Sequence, residues 1–310
     1  MMPELDITKA CCYPHRWLLV CGLVLLTVIP SLPAAPPTPV KVFVSIAPQA
    51  FFARAVGGAS VDVEVLLPSG QSPATYEPTP QQMGRLTDAD VYFSVGLPFE
   101  ERLMEKLGGS LKHLKIVSTI DGIPLRPISG NSHGSGDDDH AGRPDPHTWL
   151  APALVKIQTR NMCNALCRLN PADSLLYERN LNSISFSLDS IDTAIRALLS
   201  PLRGRTIRVF HPAYGYFTDA YGLWQEPIEV HGKEPSARQL AAIIEDAKAE
   251  GVKTLFVQPQ FSRKQAQTIA GEIDGRVVPL DPLAEDYFEN LWHIATEIAE
   301  ALRAEDADDQ

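Results

Sequence analysis

The chain has 310 residues, of which 45% are hydrophobic and 21% charged. That is apolar enough to fold and long enough for two ordinary domains, which excludes an intrinsically disordered protein. A formal net charge of −11 argues against a nucleic-acid surface, which needs clustered Lys and Arg to replace counterions; cationic ligands suit the balance better.

Residues 1–35 stand apart. Lys9, His15 and Arg16 precede an apolar run over residues 17–29, and the following stretch of Pro, Ser, Leu and Ala ends in Ala34 and Ala35, small residues where a signal peptidase would cut. The run is shorter than the roughly 20 residues of a membrane span. It reads as an export signal, with the mature protein periplasmic or extracytoplasmic. Cys21 loosely resembles an acylation site, but the apolar run continues past it, which disfavours lipidation. Cleavage would remove Cys11, Cys12 and Cys21 and leave only Cys163 and Cys167. At i, i+4 in a predicted helix these two share a face, either as small buried residues or as a strained disulfide.

After the signal, residues 40–46, 61–67, 90–96 and 114–120 are rich in Val, Ile and aromatics and bounded by Gly or Pro, so they read as strands. Helical segments fall between them at 48–55, about 80–87 and 100–107; Thr79 is placed to cap the second of these, with Pro80 at its first position. Residues 71–80 are too rich in proline for either element. Strands alternating with helices indicate a parallel α/β sheet, so residues 36–170 form a first lobe.

Residues 131–143 form an acidic loop with His133, His140 and Asp137 to Asp139 and little that would join a core. It would be a weak, fast-exchanging second cation site, or only a solvated linker. It runs into Asp145-Pro146-His147, where Pro144 and Pro146 restrict the backbone and fix where the imidazole points. Taken alone, His147 reads better as a hydrogen-bonded loop histidine.

A helix over 152–169 follows. From residue 171 to 201 the strand signal disappears, and Tyr177, Leu181, Ile184, Leu188, Ile191, Ile195 and Leu198 recur at spacings of four and three. That stripe specifies one long helix, about 40 Å at 1.5 Å per residue, packed along one face; it lacks the length and flanking helix of a coiled coil, so it reads as a spine joining two lobes. The second lobe, 202–310, repeats the α/β theme, with strands at 206–210, 252–257 and 276–280 and helices at about 236–250, 262–273 and 287–304.

In open α/β sheets ligands bind beyond the carboxyl ends of strands. His211 and Asp281 fall there, and with His147 they offer two imidazoles and a carboxylate from separated segments. This donor set suits zinc, manganese or iron, and lacks the cysteines of a thiolate site. An open-sided zinc hydrolase has the same inventory, but no HExxH and no general base at motif spacing accompanies it.

Five motifs then appear in order: PATYEPTP at 73–80, DPHTWL at 145–150, HPAYGYF at 211–217 followed by YGL at 221–223, EPSA at 234–237, and LDPL at 280–283. With them, residues from about 40 to 302 resemble the metal-binding branch of the periplasmic solute-binding proteins of ABC transporters, which take up zinc or manganese. The resemblance implies two parallel-sheet α/β lobes joined by one long rigid helix, with the metal in the interlobe cleft. It implies that the chain is no enzyme, and that its partners are the metal ion and a membrane permease rather than nucleic acid. A monomer is expected. An acidic, histidine-rich loop before the DPH motif is typical of the zinc-uptake type, so the cargo is Zn2+, with Mn2+ the alternative; a surface adhesin of the same fold is a further one. Three of the family's four ligands carry over to His147, His211 and Asp281. The fourth, a histidine in the family, falls on Ala74, which cannot bind metal. Glu77, His140 or water stands in for it, and His231 is a weaker candidate.

Overall fold

In a computed structural model of the chain, the described residues are 38–107, 113–128, 144–228, 237–249, 251–261 and 263–308. The expected signal over 1–35, the loop 131–143 with His133 and His140, and His231 lie outside them.

The first sheet contains β1 (Val40–Val44), β2 (Val61–Val65), β3 (Val91–Ser94) and β4 (Lys115–Ser118), all parallel and in the order β2-β1-β3-β4. The central strands are runs of buried Val, Phe and Tyr, as a sheet covered on both faces requires. Helices α1 (Ala47–Gly57), α2 (Pro80–Thr87) and α3 (Pro98–Leu107) connect them. As the sequence predicts, Thr79 caps α2: its Oγ1 accepts from the Gln82 amide at 3.3 Å.

Helix α4 (Pro152–Leu169) closes the first lobe. A 3-10 turn at Pro171–Asp173 leads into α5 (Ser174–Leu199), whose 26 residues span about 39 Å. Tyr177, Leu181, Ile184, Leu188 and Ile195 of its stripe are buried, with Ile191 and Leu198 packed partly buried beside them.

The second sheet contains β5 (Thr206–Val209), β6 (Trp224–Pro227), β7 (Thr254–Val257) and β8 (Arg276–Pro279), parallel and in the order β6-β5-β7-β8. Its helices are α6 (Gly215–Tyr221), α7 (Ala237–Ala249), α8 (Arg263–Glu272) and α9 (Tyr287–Asp308). The three expected strands are therefore joined by a fourth, β6. It is an edge strand of Trp, Gln, Glu and Pro held by its ladder to β5 rather than by an apolar run.

The two sheets repeat one order, so each lobe has the same switch point, between its first and third strands. One continuous core runs from Val40 to Leu302 through α5, and a smaller cluster around Phe210, Leu255 and Ile269 serves the second lobe. At the junction Phe51 and Phe52 of α1 pack against Tyr287 and Phe288 of α9; the closest rings, Phe52 and Tyr287, have centroids 4.6 Å apart. Arg54 pairs with Glu285 across the same seam. Helices α1 and α9 are thus fixed to each other as well as to the spine. Among the described residues no helix is long and apolar enough to cross a membrane.

Candidate metal centre between the lobes

His147 is placed by its neighbours in sequence. Asp145 is fully buried, and its Oδ1 accepts from the His147 backbone N–H at 3.0 Å and faces the ring Nδ1 at 2.7 Å. A carboxylate oxygen is an acceptor, so Nδ1 carries a proton, and Nε2 is the ring nitrogen that remains for a cation. The residues that follow lock the segment down. The Thr148 amide donates to the Pro146 carbonyl at 2.7 Å, and Trp149 is buried with its indole N–H donating to the Pro282 carbonyl at 2.7 Å.

His211 stands two residues beyond β5. Its backbone is held on both sides by the buried Gln258, which follows β7: the His211 amide donates to Gln258 Oε1 at 3.2 Å, and Gln258 Nε2 donates to the His211 carbonyl at 2.8 Å. β5 and β7 flank the switch point, so one glutamine ties the two strand ends where a ligand would sit. The imidazole lies against Phe261, with centroids 5.2 Å apart and planes at 27°.

Asp281 follows β8 and turns the chain. Its Oδ1 accepts from the Leu283 amide at 2.9 Å and from Gln260 Nε2 at 3.0 Å, and its carbonyl accepts from Asn290 Nδ2 at 2.7 Å. One residue before it, the Leu280 carbonyl accepts from the Tyr214 hydroxyl at 2.9 Å. Burial, reinforced by the Asp281 charge, pushes the Tyr214 phenol well above its ordinary 10.0, so it stays a donor.

The structure brings the two histidines together across the lobes, with ring centroids 5.3 Å apart and planes at 72°. Through the bond from Trp149 to Pro282, the His147 segment is also tied to the turn that carries Asp281. Glu77 is disposed differently. Its carboxylate is 68% exposed and pairs with Lys106 of α3 at 3.5 Å, a surface ion pair. Ala74, exposed in the same loop, offers only its carbonyl, 3.4 Å from an Arg102 guanidinium nitrogen.

The second lobe also grips the segment that leads into His147. Pro127 and Pro144 form an antiparallel bridge, and the Tyr216 hydroxyl accepts from the Arg126 amide at 3.0 Å while donating to the Asp145 carbonyl at 3.1 Å. Gly215 makes this approach possible. A Cβ there would stand 2.4 Å from an Arg126 guanidinium nitrogen and 2.8 Å from Asp145 Oδ2. Sequence reading passes over Gln258, Tyr216 and the role of Asp145. For Asp145 a signal exists: a carboxylate two residues before a histidine, across a proline, is set to reach both its amide and its ring.

Residues 42–301 match the family profile described as "Zinc-uptake complex component A periplasmic", ZnuA. Among curated proteins, the high-affinity zinc uptake system protein ZnuA of Bacillus subtilis is 30% identical over 72% of this chain and 72% of its own length. A putative metal-binding protein of Chlamydia muridarum is 28% identical over 85% of this chain and 92% of its own. Among solved structures, a crystal structure of ZnuA superposes with a TM-score of 0.77 at 38% identity, covering 85% of this chain and 99% of that one.

Proposed function

The chain belongs to the ZnuA family of periplasmic zinc-uptake components, solute-binding proteins of ABC transporters, and from that premise we propose that His147, His211 and Asp281 together hold its Zn2+ cargo. The observation that carries this assignment is the approach of the two imidazoles from separate lobes, one with its Nδ1 committed to Asp145. Two neutral nitrogens and one oxygen favour zinc over manganese, which prefers an oxygen-rich shell. Ala74 gives no fourth ligand and Glu77 is engaged with Lys106, so the remaining position falls to water or to a side chain of loop 131–143 such as His140.

Delivery requires release as well as capture. A ligand set split between lobes loosens when the lobes shift by a small amount, and the continuous core with its α1–α9 seam keeps that shift small. Residues 1–35 direct export, and the loaded protein hands its ion to a membrane permease. The test is zinc uptake by cells grown under a chelator. Cells lacking this chain take up less zinc; the wild-type chain restores uptake, and His147→Ala or His211→Ala does not. Full restoration by both variants would sink the assignment of the histidines.

A further inference from the structure

The sulfurs of Cys163 and Cys167, one turn apart on α4, and a carboxylate oxygen of Glu178 on α5 all lie within 4.8 Å of one another. The two sulfurs are 4.0 Å apart and both thiols are free. A disulfide would hold them at about 2.05 Å. Two sulfurs on one tetrahedral zinc at about 2.3 Å each stand roughly 3.8 Å apart, close to what is seen.

We infer that Cys163, Cys167 and Glu178 form a second cation site, for a thiophilic divalent ion of the zinc class, that clips α4 to α5. Charge supports it. Two thiolates and a carboxylate exceed a divalent cation by one negative charge, and Arg160 stands beside them, its guanidinium 3.0 and 2.8 Å from the two Glu178 oxygens. Arg160 also fixes the carboxylate as an outer partner does in metal sites. Cys163 is buried, but Cys167 is partly exposed and Glu178 is 45% exposed, so an ion enters from solvent and water completes the shell. The site is separate from the histidine pair: Cys163 is eleven residues (163 − 152) along α4 from Pro152, about 16 Å by helix rise. Binding breaks two S–H bonds, forms two metal–sulfur bonds and releases both protons to solvent.

The test is cobalt titration of the full chain in a C11S/C12S/C21S background, reduced with a phosphine, so that no other thiol is present. The expected result is near-ultraviolet thiolate-to-cobalt absorption that zinc abolishes, that survives in His147→Ala/His211→Ala, and that disappears in Cys163→Ala and in Cys167→Ala. Glu178→Gln, a surface change that leaves the fold intact by circular dichroism, weakens this cobalt binding about tenfold or more. No such absorption at saturating cobalt, or absorption undiminished in both cysteine variants, overturns the proposal. Because the histidine variant is measured in parallel, failure here and failure of the interlobe site are read separately.

Discussion

The Trp149 indole N–H donates to the Pro282 carbonyl at 2.7 Å, and this one bond joins the segment carrying His147 to the turn carrying Asp281. Trp149 is almost wholly buried, so neither group has water as an alternative partner. Trp149→Phe keeps most of the ring and removes the donor. Leaving a buried carbonyl unpaired costs about 1–3 kcal/mol. The variant is therefore expected to unfold at lower denaturant and to bind zinc more weakly, although no ligand is changed. Denaturant titration beside zinc titration checks both; unchanged zinc affinity would mean the two segments are positioned independently.

Asp145 holds His147 by its amide and its ring. Asp145→Asn leaves an acceptor oxygen but no charge to support the imidazole. Outer partners of this kind are worth about 10–100-fold in metal affinity, and zinc affinity is expected to fall by that much with little change in far-ultraviolet circular dichroism. An affinity equal to wild type would show that the tautomer does not depend on this contact.

Gly215 admits Arg126 and Asp145 where a side chain would collide. Gly215→Ala is expected to displace one or both. Zinc affinity is expected to fall by more than on substituting Gly84, where a Cβ meets nothing within 4 Å. Equal, small effects at both positions would show that the contact gives way without moving Asp145.

Glu100 offers a prediction about pH. Its carboxylate is buried and accepts from the amides of Val95, Gly96 and Leu97 and from the Ser45 hydroxyl. Burial raises it above its ordinary 4.5 by more than these bonds lower it. A carboxyl raised in the folded state contributes stability that is fully present below 4.5 and is lost as pH rises from there through the raised folded value. The stability gap between wild type and Glu100→Gln is therefore expected to narrow between acid and neutral pH. A gap that widens with pH would show the amides to be the stronger influence.

The parts of the fold legible in sequence are those whose burial is one-sided or complete. Central strands show as Val-rich runs because both faces are covered, and α5 shows as a stripe because a single face meets the core. Edge strand β6 left no such trace. Trp224 is 65% exposed, and Glu226 pairs with Arg208 at 2.6 Å, so its residues follow the ladder and an ion pair instead of an apolar pattern. Helix α6 escaped for a similar reason, being only seven residues long and beginning at a glycine. Strand-end position points to His211 and Asp281 and the two prolines to His147, and of these the fold brings the two imidazoles within 5.3 Å, centroid to centroid. Spacing in sequence carried less at Glu77: standing three residues from Ala74 does not set its direction, and the fold turns it to Lys106. Gln258 was equally silent, because its amide acts on the backbone of a residue 47 positions away.

The most direct measurement is a chelator-competed zinc titration of the purified protein beside His147→Ala, His211→Ala and Asp281→Ala, each also carrying Cys163→Ala and Cys167→Ala to silence the helix site. One tight zinc per chain is expected in the Cys163→Ala/Cys167→Ala parent, with affinity falling by more than about 100-fold, beyond the outer-partner range, when any one of the three is removed. Tight zinc binding that survives the loss of both histidines would contradict it and place the cargo elsewhere.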